Sequence, residues 1–159
     1  MSDVSAESVD QFVTVPSGMR ICFRDAGDRT DPVILLIAGL GEDLTFWTVS
    51  LVDALVGRGF RVVSIDNRDV GRSGFATTPP PAVWRQVLAR PRRDGYTLSD
   101  MARDAIGVLD HLGIEQVHLV GRSMGGMIAQ TIAAMQPGRV LSLTSIYSTT
   151  GARKVGQPA

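Results

Sequence analysis

A chain of 159 residues with 44% hydrophobic content is long enough for one domain with a packed core, and too apolar for disorder. Its 16 basic and 16 acidic residues leave a formal net charge of zero, which gives no support to a nucleic-acid or anionic-membrane partner. Cys22 is the only cysteine, which excludes an intrachain disulfide and fits a reducing, cytoplasmic location.

The start, Met1 to Glu7, is polar and acidic, unlike a signal peptide, and no stretch approaches the roughly 20 apolar residues of a membrane span. Residues 1–9 are expected to be disordered, 10–148 to form the folded core and 149–159 to fray. Gln11–Val15 and Met19–Arg24 alternate in polarity around Pro16-Ser17-Gly18, a hairpin pattern. A polar loop over 26–32 follows. Val33–Ile37 is a short, continuous apolar run bounded by Pro32 and Gly39, the mark of a parallel strand buried on both faces. Gly39–Asp43 reads as a tight loop whose Asp43 can cap a helix over 44–58, ended by Gly57 and Gly59.

Phe60–Asp66 is the next strand, and residues 67–81 form a polar loop closed by three prolines. The segment 82–96 carries a basic cluster, Arg85, Arg90, Arg92 and Arg93. A solvated loop is the favoured reading and a flap over a site the alternative. Leu98–Gly113 is amphipathic, with Met101, Ala105, Val108, Leu109 and Leu112 on one face. Gln116–Val120 is a strand, Met124–Gln136 a helix, Pro137-Gly138 a break and Val140–Tyr147 a sixth strand. A hairpin followed by alternating strand and helix predicts an α/β fold with a mostly parallel, doubly wound sheet.

Between the fifth strand and its helix lies Gly121-Arg122-Ser123-Met124-Gly125, the spacing of a nucleophile elbow. A serine on a strained strand-to-helix turn has its hydroxyl lifted out of the sheet. Gly121 and Gly125 flank it because β-carbons there would collide as strand and helix close up. The helix begins at the serine, so its free N–H groups and positive end face an oxyanion formed there. A phosphate loop at Gly39-Leu40-Gly41 is the competing idea, but both the G-x-G-x-x-G spacing and the Gly-Lys-Ser/Thr ending are missing.

These features resemble the N-terminal part of the α/β-hydrolase fold over about Phe12 to Tyr147. Val33–Gly41 looks like its third strand and oxyanion loop, Asp66–Ser73 like the loop after the fourth, and Gly121–Gly125 like the elbow. Arg68-Asp69-Val70-Gly71-Arg72-Ser73 together with Ser123-Met124-Gly125 is similar to small-molecule esterases of the aclacinomycin methylesterase type. The resemblance implies Ser123 as nucleophile, with the backbone N–H groups of Leu40 and Met124 as oxyanion hole. Ala38-Gly39 stands where many members carry His-Gly, so a hydrogen bond that pins the loop is expected to be lost. Arg122 is a charge where many relatives are neutral. It either pairs with a carboxylate or biases the site towards acidic substrates.

A serine hydroxyl needs a histidine base and an orienting carboxylate, which in this fold follow the nucleophile. No histidine, aspartate or glutamate follows Ser123. His111 precedes the elbow strand, and His118, five residues before Ser123 in an extended strand, lies on the order of 16 Å from the turn. Both read as structural or surface residues. The expectation is a hydrolase truncated after about its sixth strand, with an apolar edge open to self-association. The first function is hydrolysis of a small apolar ester through Ser123, weak or absent in this chain. Thioester, lactone and perhydrolase chemistry stay open, whereas dehalogenase and epoxide-hydrolase chemistry, which the family runs from an elbow aspartate, is disfavoured. The alternative is a non-catalytic remnant or binding domain. No cofactor and no metal is expected.

Overall fold

The computed structural model describes residues 9–76 and 95–150. The expected disordered start, the 82–96 loop or flap and the frayed end fall almost wholly outside these residues. Among these residues are six strands: β1 (Gln11–Thr14), β2 (Arg20–Ala26), β3 (Val33–Ile37), β4 (Arg61–Ile65), β5 (Val117–Arg122) and β6 (Val140–Ile146). They form one sheet in the order β1-β2-β4-β3-β5-β6. The β1–β2 and β2–β4 pairs are antiparallel, and β4–β3, β3–β5 and β5–β6 are parallel. Among the described residues three α-helices cover it: α1 (Val49–Val56), α2 (Leu98–His111) and α3 (Met124–Met135).

All five residues of β3 and of β4 are buried, as a central strand covered on both faces requires. Alternation along β3 sends its side chains into two cores. Leu35 and Ile37 join Met101, Ala105, Val108 and Leu109 of α2 and Ile128, Ala129 and Ile132 of α3. Ile34 and Leu36 point the other way, to a smaller cluster with Trp47 and Val62, against which Val52, Leu55 and Val56 of α1 pack. In β5 only Val117, Leu119 and Gly121 are buried, so this strand alternates instead of being enclosed throughout.

Two boundaries differ from the sequence reading. The helix expected over 44–58 is two pieces, a 3₁₀ turn at Leu44–Phe46 and α1. Side-chain caps explain the break. Asp43 accepts the Thr45 N–H at 2.9 Å and Thr48 accepts that of Leu51, so each starts its own helical turn, while the Trp47 side chain is buried between them. Strand β2 runs on to Ala26, into the expected loop. Asp25 is a poor strand former, but it makes a bidentate pair with Arg61 at 2.8–2.9 Å across the sheet. Helix α2 starts at a capping box: Thr97 and Asp100 each accept the other's backbone N–H.

Register positions the site. Ile37 of β3 lies beside Gly121 of β5 and beside Ile65 of β4. Two residues further along β3 and β5 come Gly39 and Ser123, and just beyond β4 come Asp66 and Asn67. Strand order thus brings three loops, far apart in sequence, to one spot at the carboxyl edge of the sheet.

Candidate active site

Ser123 sits between β5 and α3 with φ 52° and ψ −121°, a conformation that residues with a β-carbon rarely adopt. The turn is held from several sides. The Ser123 N–H donates to Ile146 O at 2.9 Å, and its carbonyl accepts from the Gly126 N–H at 3.0 Å. The Ser148 hydroxyl donates to that same carbonyl at 2.7 Å. The Ser123 side chain is half-buried and makes no capping hydrogen bond to its helix.

The flanking glycines are required by close approach. A β-carbon on Gly121 would stand 2.3 Å from Gly125 O, and one on Gly125 would stand 2.1 Å from Ile37 O and 2.5 Å from Ala38 O. These are backbone atoms of the neighbouring helix and strand, so neither position admits a side chain without moving the sheet. Met124 is the first residue of α3, where N–H groups lack partners within the helix.

The 38–42 loop faces the turn, since a β-carbon on Gly39 would lie 3.3 Å from Ser123 Cβ. Leu40, the next residue of this loop, is exposed at 71%. The loop is pinned after all, by residues the sequence reading did not single out. Glu42 Oε2 accepts the Gly39 N–H at 2.8 Å, and Asn67 Nδ2 donates to Ala38 O at 3.2 Å. Buried Asp66 accepts the Leu44 N–H at 2.7 Å and the Arg72 N–H at 2.8 Å, tying this loop to the one after β4. Arg122 pairs with Glu42 and lies over the Phe46 ring at 4.7 Å, which resolves its partner as a carboxylate. The sequence signal for this brace is Arg122 itself, whose charge beside the serine calls either for a carboxylate partner or for an acidic substrate.

The loop after β4 is fastened by its own polar contacts. The Ser73 hydroxyl donates to Asp66 O at 2.7 Å and accepts the Cys22 N–H at 2.9 Å. Burial, then the charge of Asp66, pushes the Cys22 thiol up to about 11. Arg68 and Asp104 form a buried ion pair at 2.7 Å, and the Ser17 hydroxyl donates to Asp104 at 2.8 Å. Arg68 stacks on the ring of Tyr96 at 5.0 Å. Burial, then Asp69, pushes the Tyr96 hydroxyl up to about 12.

Both histidines are engaged away from the turn. His111, at the end of α2, meets the Phe23 ring edge-on at 6.1 Å. His118 Nδ1 is 2.8 Å from the Ser142 hydroxyl, and its ring meets that of Phe60. Among the described residues no cluster of three or more His, Cys, Asp or Glu could hold a metal ion. No described helix is long and apolar enough to cross a membrane.

Residues 32–154 match the model of the α/β-hydrolase fold family. The chain belongs to that family. It is 34% identical over 120 residues to RutD of Variovorax paradoxus, named as a carbamate hydrolase, covering 76% of this chain and 39% of RutD. It is 36% identical over 121 residues to the rhodomycin D methylesterase DnrP of Streptomyces peucetius, covering 74% of this chain and 35% of DnrP. Among solved structures, epoxide hydrolase A of Mycobacterium thermoresistibile superposes with a TM-score of 0.70 at 26% identity, over 87% of this chain and 38% of that one. This α/β-hydrolase chain therefore spans less than two fifths of the length of each. The three similar proteins act on different bonds, so likeness over the shared part does not by itself choose the reaction.

Proposed function

We propose that this α/β-hydrolase chain carries the nucleophile and oxyanion hole of a serine hydrolase acting on a small, apolar ester. The single observation behind this reading is the Ser123 turn: a strained, half-buried serine with an uncapped side chain, at a helix N-terminus and against the Gly39 backbone. The hydroxyl oxygen attacks the ester carbonyl carbon. The oxyanion accepts hydrogen bonds from the N–H groups of Leu40 and Met124. The serine proton passes to a base and on to the departing alkoxide, which leaves as alcohol. Water then cleaves the acyl-serine, releases the acid and restores Ser123.

A serine at the elbow favours ester over epoxide opening, for which the family uses an aspartate. Leu40, Phe75 and Tyr147 are each more than two thirds exposed and follow the carboxyl ends of β3, β4 and β6, where open α/β sheets bind ligands. Of these, Leu40 adjoins Gly39 in the loop that faces Ser123, and its exposed apolar side chain suits an apolar substrate.

The proton acceptor is the weak point of the 159 residues. No histidine or carboxylate follows Ser123, and both histidines are held elsewhere. An oxyanion hole without its base retains on the order of 10³–10⁴ over water. The purified chain is expected to hydrolyse p-nitrophenyl butyrate only slightly above background, and Ser123→Ala is expected to remove that excess. An excess unchanged by Ser123→Ala would sink the nucleophile assignment. Turnover at ordinary enzyme rates, lost in Ser123→Ala, would overturn the expectation of weak activity. The engagement of both histidines away from Ser123 favours a second reading, a non-catalytic binding domain, which predicts no excess at all.

A further inference from the structure

The residue before Ser123 carries a charge that the proposed reaction does not use. Arg122 is about one third exposed, pairs with Glu42 and lies over Phe46. The other oxygen of Glu42 holds the Gly39 N–H at 2.8 Å. One carboxylate therefore links the 38–42 loop to the residue adjoining the elbow serine. A β-carbon on Gly39 would lie 2.6 Å from Glu42 Oε2 and 3.3 Å from Ser123 Cβ. Together these distances keep the carboxylate within about 6 Å of Ser123 Cβ, a range at which an unpaired negative charge opposes a second one strongly. A guanidinium held against that carboxylate cancels most of the opposition.

We infer that Glu42 and Arg122 form a charge-balanced positioning pair: Glu42 fixes the loop backbone through Gly39, and Arg122 neutralises Glu42 so that an oxyanion can form at Ser123. This rests on the reading of Ser123 as nucleophile and deepens it. It also selects a substrate class. The guanidinium is committed to Glu42 and to Phe46, so the site takes neutral esters and offers Arg122 to no substrate carboxylate.

The test follows two readouts on the full chain. The first is the rate at which an ethyl p-nitrophenyl alkylphosphonate, a neutral diester, labels Ser123, read by mass spectrometry. Here the serine oxygen bonds to phosphorus, p-nitrophenolate leaves and the proton goes to buffer. Arg122→Gln exposes the Glu42 charge and is expected to slow labelling about tenfold. Glu42→Gln keeps an acceptor for Gly39 and removes the charge, so Glu42→Gln combined with Arg122→Gln is expected to return to within about threefold of the parent. Arg122→Lys keeps the charge and most of the rate, which separates charge from packing should Arg122→Gln fold poorly. Labelling at the parent rate in Arg122→Gln, or a double variant as slow as Arg122→Gln, overturns the inference.

The second readout is hydrogen exchange at the Gly39 amide by NMR, which needs no chemistry at Ser123. Glu42→Ala is expected to speed it about tenfold and Glu42→Gln to leave it near the parent value. Unchanged exchange in Glu42→Ala overturns the loop-holding role. If Ser123 resists labelling in every variant, the nucleophile reading falls, and the charge-cancelling role falls with it. The Gly39 amide then decides the loop-holding role alone.

Discussion

Ser123 can hold its unusual backbone only because its neighbours leave no alternative. Its N–H, its carbonyl and the first turn of α3 are all fixed by hydrogen bonds, so strain at one residue is offset by order around it. Gly125 is the tightest point, pressed against two carbonyl oxygens of the β3 end. Gly125→Ala is expected to cost at least about 3 kcal/mol, because relief requires moving the strand that carries the 38–42 loop. Gly138 is the control: nothing lies within 4 Å of a β-carbon there, so Gly138→Ala is expected to stay within about 0.5 kcal/mol. Equal midpoints for the two variants in urea unfolding would contradict this account of the elbow.

Both edge strands of the sheet, β1 and β6, are largely exposed, and β6 is the longer. Strand β6 is last in the sheet order, and five of its seven residues are exposed, with Leu141 at 48% and Leu143 at 40%. An edge strand with free backbone groups and apolar side chains is a template for pairing. The chain is expected to self-associate through β6 as its concentration rises, and lysines at both leucine positions are expected to suppress this. Sedimentation velocity reads the outcome directly. A parent chain that stays monomeric, or association unaffected by the lysines, would remove β6 as the contact.

For the whole molecule, the two faces of the sheet are unequal. The face under α2 and α3 packs a large core from Val15 to Ile132, whereas the other buries Ile34, Leu36, Ala38, Trp47 and Val62, and α1 has no buried residue of its own. Local stability follows buried apolar contact. Amide exchange is therefore expected to be at least about tenfold faster through α1 than through α2 and α3. Uniform protection across the three helices would show that the sheet couples both faces more tightly than their packing implies. The consequence reaches the site, because the loop that touches Ser123 leads directly into α1 through the Leu44–Phe46 turn.

Local signals in the chain were enough for the alternation of elements, the buried character of β3 and the Gly-x-Ser-x-Gly turn. Apolar period, glycine spacing and helix formers all act over a few residues, and so can be read in order. Where side chains compete locally for backbone N–H groups, as Asp43 and Thr48 do, one helical pattern covers a 3₁₀ turn and a separate α-helix. Contacts across long separations were invisible. Asp25 with Arg61 extends β2, Asp66 binds the Leu44 amide, and Glu42 meets Arg122 80 positions away. The first depends on β2 pairing with β4, and the other two on β3 lying between β4 and β5. The residues alone identified a serine turn and an unpaired arginine. Only the folded sheet decided what stands beside them, because register, not sequence distance, determines which loop ends share the carboxyl edge.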